Sequence, residues 1–353
     1  MFESGLYMKK ILTWIHNGRT TALPQSLTPA ILAAVMAAGS GFCWWTALLS
    51  IVGVVFAHLA LNLTDDYFDY KVDMKGDRDS VIRRGFRAMS VKYPFLTDGS
   101  ATLKDTFKAI SQMTVVAIAC GTACFIRMTS ANGFIGSEAS CGSWWIVAIV
   151  FATAFLGYFY SAPPFKLGYR GLGELVIGLI FGPLLMMGVF YASCGRMTLD
   201  IIFISVPVGL LVMNILFVHS IIDLPADTES NKMTFARVLG RDKANLTAEF
   251  LIISIPFLLV LAAVVTGFLH PAFLIVFLML PRAVWLFRSI RKFLKGEETD
   301  TSRPAWYLGQ MQNWKPICDA GIDWFMIRWF TARNLLSGFC LCCAAAKIFT
   351  IFI

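Results

Sequence analysis

From Gly39 to Asn62 the chain carries no acidic side chain and no lysine or arginine; Asp65, Asp66, Asp69, Asp73, Asp77 and Asp79 then follow within fifteen positions. An uncharged run of this length matches the roughly 20 residues that a helix needs to cross the hydrocarbon of a bilayer. In that medium every backbone N–H and C=O must find its partner inside the protein, so helices are favoured and an open sheet edge is excluded. The aspartates pose the opposite problem, because carboxylates at membrane depth are costly and call for a partner.

The same texture runs through all 353 residues, which are 57% hydrophobic and 15% charged, against roughly 25% charge in soluble domains. Apolar runs near 26–41, 43–64, 109–127, 144–161, 173–193, 199–222, 248–268, 271–288 and 335–353 predict nine transmembrane helices in an all-α polytopic membrane protein. If those runs alternate across the bilayer, 27 of the 30 Lys and Arg residues fall on one side, and only Arg127, Arg196 and Lys347 on the other. The positive-inside rule then makes the N-terminus and the loops following even-numbered helices cytoplasmic, and the C-terminus external. The expected location is a multi-pass position in the inner (cytoplasmic) membrane. The net charge of +8 is accounted for by topology, and no nucleic-acid partner is expected.

Residues 1–22 show no cleavable signal pattern and read as a cytoplasmic or interfacial segment anchored by Trp14. Residues 23–353 read as one transmembrane domain, within which 289–334, rich in charge and Trp, forms an interfacial insertion on the cytoplasmic side. The nine cysteines show no CxxC pair or Cys/His spacing that would suit zinc. Cys141 and Cys194 both fall in predicted outer loops, which leaves a disulfide between them open.

Two stretches repeat a pattern: His58-x3-Asn62-x3-Asp66 and His219-x3-Asp223-x3-Asp227, each at the cytoplasmic end of a predicted helix. The repeat points to two related halves facing one cavity. At 100° per residue, Asn62, Asp66, Asp69 and Asp73 lie within about 60° of one another, with Asp65 beside them. Asp223 and Asp227 share a face one turn apart. An Asp at the centre of a membrane helix costs roughly 2.5–3.5 kcal/mol, less near the interface. Such a cluster is tolerable where it lines a wet cavity and binds cations; the alternative is a solvated helix end. Oxygen donors without His or Cys favour Mg²⁺, which commonly joins one or two carboxylates to phosphate oxygens. Arg83, Arg84 and Arg87 follow the first cluster, and Lys232 and Arg237 the second; they serve as topological signals or as receivers of a diphosphate. His58 and His219 sit a turn deeper and are expected to make interhelical hydrogen bonds.

These residues carry a resemblance. "NLTDDYFDYKVD" resembles the first aspartate-rich motif of the UbiA superfamily of intramembrane prenyltransferases, with Asp66, Asp69 and Asp73 on its aspartates and Asp65 where that family usually has Asn. "DLPADTESNKMTFARVLG" is similar to the second motif at Asp223, Asp227, Lys232 and Thr234, with Asn231 replacing a usual Gly. "FYSAPPFKLGYRGLGEL", residues 159–175, is similar to a run in the branch that prenylates 1,4-dihydroxy-2-naphthoate for menaquinone. "VIRRGFRAMSVKYPFLTDGS" departs from that branch, lacking its Ser-Gly-Gly-type segment.

The resemblance implies about nine helices around a central cavity open to the cytoplasmic side. It implies Mg²⁺ held by Asp65, Asp66, Asp69, Asp73, Asp223 and Asp227, the last five catalytic. Asn62, Arg83, Arg84, Lys166, Arg170 and Lys232 would bind the diphosphate, and Tyr67 and Tyr160 the substrate. Phe68 and Phe159 join those tyrosines as candidates to stabilise an allylic cation. The implied reaction passes a polyprenyl group from its diphosphate to an aromatic acceptor inside the lipid bilayer. Other acceptors remain open: 4-hydroxybenzoate, a tetrapyrrole or a glycerol-phosphate lipid. A cation-coupled transporter would also carry intramembrane carboxylates, but does not require two acidic clusters with Lys and Arg on one face.

Overall fold

A computed structural model of the chain describes residues 12–39, 41–73, 93–131, 144–229, 233–301 and 303–352. Among them there is no strand; helices account for nearly all the regular structure. We number the long helices α1 (Pro24–Met36), α2 (Trp44–Asp73), α3 (Leu103–Ala131), α4 (Trp144–Ser161), α5 (Gly173–Cys194), α6 (Leu199–Ile222), α7 (Asp242–Val265), α8 (Pro271–Leu294) and α9 (Asp323–Ile351). Among the described residues, eight helices, α2 to α9, are long and apolar enough to cross a membrane. The run expected to span near 26–41 is realised as α1, thirteen residues long, or about 20 Å at 1.5 Å per residue. Gly39 and Gly41, both with positive φ, end it and turn the chain into α2.

Burial grades the helices. In α6, 72% of the apolar window is buried, against 11% in α4. So α6 is the central post, and α4 turns Phe151 and Trp145 outward. Ile201, Ile204, Val208, Leu211, Ile215 and Val218 of α6 pack into a core shared with α1, α5, α7 and α9. The sequence of α6 reads as apolar on nearly every side because most of its surface is buried against neighbouring helices.

One crossing places the working end of the molecule. Gly178 and Gly182 on α5 lie against Gly209 on α6 so closely that a Cβ on Gly182 would stand 2.3 Å from the Gly209 Cα. Small residues at such a crossing let two backbones approach, the means by which membrane helices gain packing contact. The approach includes a π-helical turn at Ile180–Leu184 around Pro183, whose missing N–H frees a carbonyl. Through it the N-terminus of α5 is brought beside the C-terminus of α6, where the second acidic stretch begins.

Candidate active site

The first acidic cluster rides on an unbroken helix. No proline interrupts residues 44–73, and α2 runs for 30 residues, carrying Asp65, Asp66 and Asp69. Asp66 and Asp69 are buried, at 0% and 1% exposure. Arg19 pairs with Asp66 and with Asp65, the latter at 3.2 Å. The Ser161 hydroxyl donates to Asp65 at 2.5 Å, and the Tyr169 hydroxyl donates to Asp69. Asn62, one turn before Asp66, donates from Nδ2 to the Gly18 carbonyl at 2.9 Å. It thereby holds the turn that presents Arg19, itself in the left-handed region at φ 61°, an uncommon state for a residue with a Cβ. Burial alone would lower the Arg19 pKa, but Asp66, Asp65 and Asp69 outweigh it and hold the guanidinium above its ordinary range.

The second cluster is built differently. Pro225 cannot donate to the helix and clashes with the preceding turn, so α6 stops at Ile222 and a short helix, Leu224–Glu229, follows. Asp223 sits at that junction, 4% exposed, with Nε2 of His219 at 3.0 Å from its carboxylate. Asp227, 2% exposed, is one turn on, with its N–H donating to the Asp223 carbonyl at 2.8 Å. Arg237 reaches the Asp227 carbonyl oxygen at 3.5 Å.

The loop between α4 and α5 joins the two. It contributes Ser161 and Tyr169 to the first cluster. Two residues later, the Gly171 N–H donates to the Met233 carbonyl at 2.8 Å, beside an isolated parallel bridge between Arg170 and Met233. Gly171 has φ +78°, and a Cβ there would meet Val238 at 2.4 Å, so only glycine suits the contact. Glu174, buried at the start of α5, accepts from Ser220 Oγ at 2.5 Å and from the Phe235 N–H at 3.2 Å. Residues 161–174 therefore clasp both acidic stretches.

Other residues singled out from sequence are placed as follows. Tyr160 is half-buried in the clasp, against Gly168 and Gly173 and within electrostatic reach of Asp65, Asp69 and Glu174. Lys166 adopts φ 46° at the head of the turn Leu167–Tyr169, and Arg170 is exposed, donating to the Pro164 carbonyl at 3.2 Å. Tyr67 turns to Phe107 and to Lys71, whose Nζ donates to its hydroxyl at 2.8 Å. Phe68 meets Tyr158, and Phe159 stacks edge-on against Phe155 and Phe165. His58 bonds Ser26 across helices at 2.6 Å. Asp73 ends α2; its side chain, Asp77, Asp79, Arg83, Arg84, Arg87 and Lys232 lie outside the described residues. So does Cys141, and with it the question of a bond to Cys194, while Cys194 carries a free thiol.

Sequence reasoning missed Arg19, Ser161, Tyr169 and Glu174 as site residues. A signal existed for two of them: Arg19 is the last charge before a long uncharged run, and Glu174 is an acid opening an apolar one.

Whether the carboxylates suit Mg²⁺ is answered by their chemistry. Among the described residues, no three His, Cys, Asp or Glu side chains stand close enough to enclose an ion. The buried oxygens come in pairs, Asp66 with Asp69 and Asp223 with Asp227. Mg²⁺ is usually bound through one or two carboxylates and completed by waters and substrate phosphates, so the donor set fits.

Comparison with known proteins places this geometry. Residues 108–313 match the UbiA prenyltransferase family. The chain is 24% identical, over 79% of its length and 81% of the relative's, to a 1,4-dihydroxy-2-naphthoate octaprenyltransferase of Bacillus subtilis (strain 168). Its fold is similar to a digeranylgeranylglyceryl phosphate synthase, with TM-score 0.59 at 14% identity, covering 96% of this chain and 99% of that one. It is also similar to a UbiA homologue from Archaeoglobus fulgidus bound to GPP and Mg²⁺, with TM-score 0.57 at 14% identity, covering 91% and 99%.

Proposed function

The chain belongs to the UbiA prenyltransferase family, and on that premise we propose Mg²⁺-dependent transfer of a polyprenyl group from an isoprenoid diphosphate to 1,4-dihydroxy-2-naphthoate. The protein is a multi-pass membrane enzyme of the prenyltransferase class. The observation that carries the proposal is the clasp: residues 161–174 tie a buried carboxylate pair on α2 to a second pair after α6. Two acidic clusters locked to one loop act on one substrate. The acceptor reading draws on the Bacillus subtilis relative, whose name carries that naphthoate.

Asp66, Asp69, Asp223 and Asp227, with Asp65 and Asp73 adjoining, would hold Mg²⁺, which would supply positive charge to the leaving diphosphate. Arg19 pairs with Asp65 and Asp66 and offsets part of their charge. Lys166 and Arg170, with Arg83, Arg84 and Lys232, supply the cations that receive the departing diphosphate. Tyr160 closes the floor of the clasp and keeps water from the allylic cation. From Phe68 and Tyr158, the rings of Phe159, Phe155 and Phe151 continue along α4 with centroids 4.8–6.4 Å apart, an apolar track for the polyprenyl tail. The positive-charge distribution supports a site at the cytoplasmic face of the inner membrane, with the N-terminus inside and the C-terminus outside.

The test is an in vitro assay with purified protein, radiolabelled polyprenyl diphosphate and Mg²⁺ against dihydroxynaphthoate, 4-hydroxybenzoate, a chlorophyllide and a glycerol phosphate. Product with dihydroxynaphthoate alone is the expected result. Product with another acceptor reassigns the branch, and no Mg²⁺-dependent product at all defeats the reading.

A further inference from the structure

A cavity of about 420 Å³ opens between the start of α1, the 306–313 loop and α9; Thr20, Thr21, Pro24, Gln310, Arg333 and Ser337 are among the residues that line it. Its size falls within the roughly 300–1,000 Å³ of small-molecule sites. Arg333 is 6% exposed, with its guanidinium over the rings of Phe330 and Trp329, 4.5 and 5.5 Å from their centroids. Two nearby arginines are consumed by structure. Arg282 donates to the carbonyls of Tyr307 and Asn334, and Arg328 to Trp324, Ser289 and Thr299. Among the described residues, Arg333 has no carboxylate partner and no hydrogen-bond acceptor, so its N–H groups are left to the cavity.

A buried guanidinium without acceptors is costly, and the cavity's occupant is the natural source of them. The rest of the lining agrees. It holds hydroxyls and amides but no Asp or Glu, and it adjoins the N-terminus of the thirteen-residue α1, the end of a helix that favours anions. Asn334 donates to the carbonyls of Leu308 and Gln310, at 3.0 Å each, and fixes the loop that forms one wall. Position gives the cavity its meaning. Thr20 directly follows Arg19, which pairs with Asp65 and Asp66, so one wall of the cavity is a single residue from the cation of the first acidic cluster.

We propose that this cavity takes the carboxylate end of the acceptor, an aromatic hydroxy acid, with Arg333 as its cation. The assignment rests on the prenyl-transfer reading above for the identity of the ligand, while the site itself rests on Arg333 and its surroundings. Arg suits the task because its planar fork meets a carboxylate through two N–H groups. The carboxylate end is anchored on α9, and the ring that must be alkylated is left facing the diphosphate side.

The test measures binding of 1-hydroxy-2-naphthoate to the full-length protein in detergent micelles, with no prenyl diphosphate present. Arg333→Gln should weaken it at least about tenfold, the scale of losing a charge-assisted pair. Arg333→Lys should recover part of it, and 1-naphthol, which lacks the carboxylate, should bind both variants alike. An unchanged affinity in Arg333→Gln overturns the assignment. Displacement of the naphthoate by inorganic phosphate or by phosphatidylglycerol vesicles at lower concentration than the naphthoate itself overturns it too, and gives the cavity to a free phosphate or a lipid headgroup. Should Arg333→Gln fail to fold, Thr21→Trp at an exposed rim position narrows the mouth with the charge kept; it should produce the same loss, and normal binding in it is contrary. The two readings fail separately. Arg333-dependent naphthoate binding with no transfer to any acceptor removes the enzymatic reading alone; transfer to dihydroxynaphthoate with an unaltered acceptor KM in Arg333→Gln removes the cavity alone.

Discussion

The two acidic clusters share the pattern His-x3-Asn/Asp-x3-Asp on opposite kinds of scaffold. Asp66 and Asp69 project from the last two turns of an unbroken helix, held from outside by Arg19 and Tyr169. Asp223 and Asp227 straddle a break that Pro225 imposes, in a segment whose flanks, Ser220 and Phe235, are held by Glu174 at the start of α5. A rigid helix fixes the first pair by its own periodicity. The second pair has no such guarantee and depends on the clasp, chiefly Glu174 and Gly171. A mutation in the clasp should therefore injure the second cluster more than the first.

The largest effect should come from removing a carboxylate outright. Asp69→Ala and Asp227→Ala should each lower transfer by at least about 10²–10³-fold, the scale of losing one group that stabilises developing charge. Circular dichroism and a retained gel-filtration profile would show that the fold survives. Equal losses in the two variants support a shared substrate; full activity in either removes that residue from the site.

Glu174 comes next and separates the clusters. Glu174→Ala leaves the Phe235 N–H and the Ser220 hydroxyl without their acceptor, a cost of about 1–3 kcal/mol in a buried place. The segment from Asp223 to Phe235 should loosen, raising the Mg²⁺ concentration for half-maximal rate about tenfold. Arg19 pairing is untouched by the change. Glu174→Gln keeps one acceptor oxygen and should fall between. A Mg²⁺ dependence equal to wild type in Glu174→Ala would show that the second cluster stands without the clasp.

This contrast also explains what could be read from the chain itself. The all-helical membrane fold was legible because lipid leaves helices as the economical answer to long apolar runs, and because α6 is apolar on nearly every face. Asp65, Asp66 and Asp69 were legible as one face because the helical period alone relates them. Ser161 and Tyr169 were not, since 96 and 100 positions separate them from the aspartates they bond and no local rule spans such a distance. Arg19 looked like one more cytoplasmic charge; only the turn held by Asn62 aims it at Asp66. The length of α1 was misjudged for a local reason, since Gly39 and Gly41 read as tolerable within an apolar run, yet both take positive φ and end the helix.

Tyr169→Phe probes the first cluster more gently. It removes one hydroxyl donated to Asp69, and hydrogen bonds to charged groups contribute about 1.5–3 kcal/mol. Because α2 holds Asp69 in place regardless, most of that should appear as tighter or looser grip on the diphosphate, with its KM changed about three- to tenfold and Mg²⁺ dependence nearly unaltered. A shift in Mg²⁺ dependence as large as that of Glu174→Ala would erase the distinction between the clusters.

The smallest effect should come from Asn62, and it decides what the residue is for. From sequence it is expected at the diphosphate; in the fold its Nδ2 donates to the Gly18 carbonyl and so steadies Arg19. Asn62→Ala deletes that bond at a cost of about 1 kcal/mol, which should lower the melting temperature by about 1–2 °C for a chain of 353 residues. The loss should be non-additive with Arg19→Gln, because both changes release the same turn. If Asn62 also touches the diphosphate, KM for the prenyl diphosphate will rise in Asn62→Ala even in the Arg19→Gln background. If it acts through Arg19, the double variant will match Arg19→Gln in KM, and the first cluster will owe the placement of Arg19 to a single amide on its own helix.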